Sequence, residues 1–196
     1  MRVVGSLALV TVVVAALVAS PSAPSAAAGA APPGAVPAPH PALATLATLN
    51  GATFDVAFLR ELIPVHEEAI EIALAATLNA DHPELLQWNQ VVIDRKSAQV
   101  RQMLAWLQAA GAAPGRRNAN AVTEPVKKVR SLKGAALEKV YLPLMAAHLE
   151  QSVALARLAV TKASRAEVRT MARQIVQTET REAAMLRDWL RRWYGK

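Results

Sequence analysis

Core-type positions recur at alternating steps of four and three along two long stretches of the chain. The last stretch runs Val168, Ala172, Ile175, Glu179, Glu182, Leu186, Trp189 and Trp193, and an earlier one runs Leu85, Asn89, Val92, Lys96, Gln99, Met103 and Trp106. This spacing keeps one helix face turned toward a partner and belongs to bundles packed at shallow crossing angles. A further apolar-faced segment precedes each. The pattern predicts helices over about residues 53–79, 83–110, 134–162 and 165–194, each roughly 40 Å long at 1.5 Å per residue.

The two halves resemble each other. A shift of 83 residues aligns Phe54 to Leu107 with Leu137 to Leu190 without a gap, although only eight of the 54 pairs are identical, Glu67/Glu150 and Trp106/Trp189 among them. Asp81 with Glu84 and Ser164 with Glu167 fall in the same register. Each is a cap residue followed three later by Glu, which predicts a capping box and a helix start at the same point of both halves. Each half therefore reads as a helical hairpin, 53–110 and 134–194, with a connector over 111–132 between them. Those 22 residues could reach about 70 Å if extended, enough to cross the bundle from end to end. The expected fold is all-α: a ferritin-like four-helix bundle over 51–196, made of two repeated hairpins joined by a long crossover.

The first fifty residues differ from the rest. Met1-Arg2, the uncharged apolar run Val3 to Ala19 and the small residues Ser25 to Ala28 read as a secretory signal over 1–28, the rival being an uncleaved anchor. An apolar run of 17 residues is at the short edge of what crosses a bilayer of about 30 Å. Pro32, Pro33, Pro37, Pro39 and Pro41 then predict an extended, disordered spacer over 29–50. The protein is expected to be exported, to the periplasm, the cell surface or the medium. It has no cysteine, so neither disulfides nor thiolate metal chemistry apply. Its net charge of +7 favours acidic partners, with nucleic acid set aside by export. The connector concentrates Arg116, Arg117, Lys127, Lys128, Arg130 and Lys133 against Glu124, which reads either as a docking strip for an acidic envelope component or as an ordinary solvated loop.

Lys96, Gln99, Glu179 and Glu182 are polar where the pattern wants Leu or Ile, and the shift of 83 pairs Lys96 with Glu179 and Gln99 with Glu182. His66 and His148 lie on the apolar faces of the first helix of each hairpin, flanked by Glu67 and Glu150. Antiparallel packing should bring the imidazoles and carboxylates to one level of the core. A lone buried carboxylate is costly, so partners are required. Two readings follow. Lys96 can neutralise Glu179 or Glu182 in a closed polar core, or His66, His148, Glu67, Glu150, Glu179 and Glu182 can hold a transition metal, since imidazole with carboxylate suits zinc, copper, nickel or iron. The Glu-x-x-His pattern of di-iron carboxylate enzymes is absent, as are phosphate loops and the serine elbow of hydrolases, so no enzyme is expected. Pro64 and Pro143 fall inside predicted helices near these histidines, where a kink is expected.

The strings FDVAFLRELIPVHEEAIEIA, DHPELLQ and MLAWL resemble the bacterial family known as domain of unknown function 305. The resemblance is good over Phe54 to Leu107 and weaker over Leu137 to Leu190. It implies an exported ferritin-like bundle, with some relatives acting in copper binding and tolerance. His66 matches the second histidine of the family's pair, with Val65 at the first; His148 matches the first, with Leu149 at the second. Lys96 stands for the family's Gln and Gln99 for its Glu, while Met103 and Met145 match family methionines and Glu61 and Leu62 do not. The implied cargo is copper, held through His66, His148 and nearby glutamates with Met103 and Met145. With so few thioethers, divalent copper or zinc suits this set better than Cu(I).

Overall fold

Six helices account for the residues that the structure, a computed structural model, describes, namely 40–115 and 122–195: α1 (Leu43–Thr48), α2 (Gly51–Thr77), α3 (Pro83–Ala109), α4 (Glu124–Arg130), α5 (Gly134–Lys162) and α6 (Ala166–Tyr194). No strand occurs among them; Gly51 and Ala163 form an isolated bridge. The expected signal segment, most of the spacer, and Arg116 and Arg117 lie outside the described residues. The spacer does not extend to residue 50. Past Pro41 the chain has no proline until Pro64, and Leu43–Thr48 coils into α1, whose Leu46 is buried against α2 and α5.

The start of α2 meets the end of α5, since Asp55 hydrogen-bonds Ser164, and the start of α5 meets the end of α2, since Glu138 hydrogen-bonds Asp81. These helices are therefore antiparallel. Trp88 packs on Trp189 and Lys96 pairs with Glu179, so α3 and α6 are antiparallel as well. The order is up, down, down, up. The chain must then travel from the end of α3 to the opposite end of the bundle before α5 begins, the long crossover of ferritin-like bundles. It does so along α2: Arg60 Nε donates to the Ala113 carbonyl at 2.8 Å, and Val126 and Val129 of α4 are buried beside Ala69, Ile72 and Ala73.

Each hairpin's turn is capped by the other hairpin. The expected capping boxes do not form: His82 and Arg165 occupy the N-caps of α3 and α6, and neither makes a side-chain cap hydrogen bond. Instead Asp55 of α2 accepts from the Ser164 backbone N–H at 2.9 Å, from its hydroxyl, and from the Arg165 N–H at 3.0 Å. Glu138 of α5, fully buried, accepts from the Asp81 and His82 N–H groups at 2.6 and 2.9 Å, and also from the His82 ring and the Tyr194 hydroxyl. The backbone donors that open a helix are left free by the helix itself. Here a buried carboxylate on a neighbouring element meets them. The α2–α3 turn is tight enough that a Cβ on Gly134, at φ +53°, would lie 2.6 Å from the Asp81 carboxylate.

Two apolar clusters fill the bundle. Phe54, Phe58, Leu62, Met103, Leu107, Leu155 and Ile175 belong to one end; Ile72, Leu85, Tyr141, Met145, Leu149, Leu186 and Trp189 belong to the other. Between them the four long helices contribute His66, Lys96, His148, Ser152 and Glu179, all buried. Pro64 and Pro143 are carried inside unbroken helices.

Candidate functional site

The polar layer at the bundle's waist brings together His66, His148, Lys96 and Glu179. Lys96 and Glu179, 0% and 1% exposed, form an ion pair at 2.6 Å. The other two polar seam residues lean outward, because the buried line steps from Lys96 to Val100 and from Glu179 to Ala183 rather than to Gln99 and Glu182. The step is four residues, as expected where a 3.6-residue helix drifts from a strict 3.5 repeat. Glu182 then reaches Arg95 at 2.6 Å and the Trp88 indole N–H at 3.3 Å, not Lys96. Glu150 is engaged near the surface by Arg187, and Glu67 is only half-buried. Met103 and Met145 sit in opposite apolar clusters, on either side of the layer. Among the described residues, no three His, Asp or Glu side chains form a group able to hold a metal ion.

The two histidines have different surroundings. His66 Nε2 lies 3.0 Å from Gln99 Oε1, and since that oxygen only accepts, Nε2 carries the proton and Nδ1 a lone pair. Nδ1 has no hydrogen-bond partner, nor has Glu179 Oε2. Burial first, and then the charge of Lys96, hold the His66 pKa well below the usual imidazole value, so the ring is neutral. His148 Nε2 donates to the Val65 carbonyl at 2.8 Å, which leaves the lone pair on Nδ1, 3.8 Å from Glu68 Oε2. Burial also lowers the His148 pKa; Lys96 pushes in the same direction, while the Val65 hydrogen bond and the charges of Glu68 and Glu179 oppose it.

These environments decide where a cation fits. At the centre, a divalent ion on Glu179 Oε2 would share that carboxylate with the Lys96 ammonium, 2.6 Å from Oε1, so it meets a buried carboxylate whose charge is already matched. The interior set of His66 and Glu179 does not fit a metal. At the α2–α5 edge the position is different. His148 Nδ1 and Glu68 Oε2 lie 3.8 Å apart, and a metal bonded to both at about 2.0–2.2 Å spans a gap of up to about 4 Å. The backbone carbonyl behind His148 fixes its tautomer in the manner of an outer-shell partner of a ligating histidine. Glu68 is 25% exposed, so the edge opens to solvent.

Glu68, Arg95, Asp55 and Glu138 carry much of this geometry and were not singled out by periodicity. Asp55 and Glu138 could have been, being acidic residues that share the shift of 83 at the start of each hairpin.

Comparison with solved structures returns helical proteins of one kind. CopM in its Cu(I)-bound form is similar over 72% of this chain and 98% of its own, with 23% identity and a TM-score of 0.64. A DUF305 fragment from Deinococcus radiodurans is 25% identical over 70% of this chain and 95% of its own, with a TM-score of 0.63. A DUF305 protein from Streptomyces coelicolor, inferred to be secreted, is 22% identical over 68% of this chain and 89% of its own, with a TM-score of 0.62. No curated protein matches this chain. The family described as Domain of unknown function (DUF305) matches residues 18–107 and 138–196, most of the chain, and together with the bundle's architecture this makes the protein a member of the DUF305 family.

Proposed function

We propose that this protein is an exported, non-enzymatic metal-handling bundle that takes up one transition-metal ion, Cu(II) or Zn(II), between His148 and Glu68. The observation that carries this is the 3.8 Å separation of His148 Nδ1 from the Glu68 carboxylate, with Nε2 committed to the Val65 carbonyl. Neutral imidazole with carboxylate is a donor set for divalent copper or zinc. Support of a second kind comes from CopM, a structural neighbour that binds Cu(I), Cu(II) and Ag. Export is supported by the signal-like first 28 residues and by the Streptomyces coelicolor relative. Among the described residues no helix is long and apolar enough to cross a membrane.

Calorimetric titration of the purified protein with Cu(II) or Zn(II) should give about one equivalent, and His148→Ala or Glu68→Gln should remove it. Unaltered uptake in both variants would end the proposal. A second reading, an envelope-binding module free of metal, is favoured by the Lys96–Glu179 pair and by Lys127, Lys128 and Arg130, which are exposed on α4. No uptake by the wild type, with salt-sensitive binding to anionic vesicles, would select it.

A further inference from the structure

We infer that Lys96 is the resident cation of the bundle interior and that its ammonium group keeps the polar layer at the waist closed to metal ions. Lys96 is fully buried and bonded to one oxygen of Glu179, while the other oxygen has no partner. One turn along α3, Gln99 holds His66 through Nε2 and leaves Nδ1 of that buried ring unpaired. Both unpaired atoms are acceptors. A carboxylate oxygen and an imidazole lone pair left unpaired in one buried layer would ordinarily invite a cation, and the layer already contains one that belongs to the chain. With neutral imidazoles, Lys96 and Glu179 cancel in charge. A second cation has no uncompensated charge to meet and a fixed positive charge to overcome. The field that disfavours a proton on His66 acts on a divalent ion with twice the charge.

Removal of the ammonium inverts this balance. A buried carboxylate without its counterion must take a proton or another cation. Glu179 and Gln99 line a groove of about 510 Å³ between α3 and α6, with Arg95, Gln102, Gln174 and Thr178 along its sides, and Gln99 is the residue that holds His66. Lys96→Gln therefore creates a metal site from Glu179 and His66 that the natural protein withholds. Only the edge site rests on the reading of His148 and Glu68 given above; the interior claim stands on different residues.

The test titrates the full chain with Co(II) and with Zn(II), following heat and the visible absorption of bound Co(II). In the wild-type background, His66→Ala should leave stoichiometry unchanged. Lys96→Gln should take up one equivalent more than wild type, with a new Co(II) absorption band, and Lys96→Gln/His66→Ala should lose both. Loss of an equivalent on His66→Ala alone would overturn the inference, as would Lys96→Gln gaining none. Should Lys96→Gln not fold, Lys96→Met takes its place, and the wild-type against His66→Ala comparison decides without either. A wild type that binds no ion, with Lys96→Gln gaining one, would remove the edge site and leave the interior claim standing.

Discussion

A single lysine changes what the interior of this bundle can do. Lys96 occupies a seam position, is wholly buried, and spends its charge on Glu179. Breaking such a pair by truncating one partner typically costs about 3–5 kcal/mol, whereas replacing both by apolar groups is often neutral or favourable. Lys96→Met alone should thus destabilise by about that amount, and Lys96→Met/Glu179→Leu should recover most of it. Urea unfolding of the two single variants and the double would measure the coupling, and additive losses would show the pair to be idle. The ion pair was one of two readings open in the sequence, because the shift of 83 sets Lys96 against Glu179. The metal reading of Glu150 and Glu182 was equally open there. Their capture by Arg187 and Arg95 was not legible, because it depends on how far each helix has turned by that depth.

Helix ends in this protein are set by distant residues. A Ser or Asp followed by Glu three later marks a helix start, and both turns carry that mark, yet the carboxylates that bind the turn donors come from Asp55 and Glu138. Local pattern found the position of the turns and missed the means. Loss of a cap typically costs about 1–2 kcal/mol, and Asp55→Ala, which strips three hydrogen bonds, should fall at the upper end. The pH response of Glu138 follows from its setting. Burial pushes its carboxyl up, but hydrogen bonds from Tyr194, from the His82 backbone and ring, and from the Asp81 backbone outweigh that and leave it below the ordinary carboxylate value. A carboxyl with a depressed native pKa adds stability that is complete above its unfolded value and lost as pH falls toward the native one. The denaturation midpoint should therefore drop as pH falls below about 4.5. Glu138→Gln should start lower and depend less on pH in that window; an equal slope in both proteins would assign the acid response elsewhere.

For the molecule as a whole, period and linker length carried most of the fold. Four helical segments, two of them with steps of four and three, two short breaks and one 22-residue connector leave few arrangements, and the up, down, down, up order is the one that uses the connector's reach. The α1 helix was not legible, because its one buried side chain, Leu46, depends on a place between α2 and α5 that only the assembled bundle provides. The same interdependence predicts how the chain comes apart. The first hairpin alone, residues 51–112, would lack Glu138 at its turn and the partner faces of α5 and α6. By circular dichroism it should be largely unfolded at concentrations where the full chain is folded. A cooperative thermal transition in that fragment would show that each hairpin is self-sufficient.

Asp55 and Glu138 each end up holding closed a bend they do not belong to. The covalent link between the halves raises their local concentration and lays α4 on α2, while the instruction to close each turn is written across the gap. Severed halves should find each other in a test tube and restore the whole, and a damaging change in one should be curable only by a change in the other.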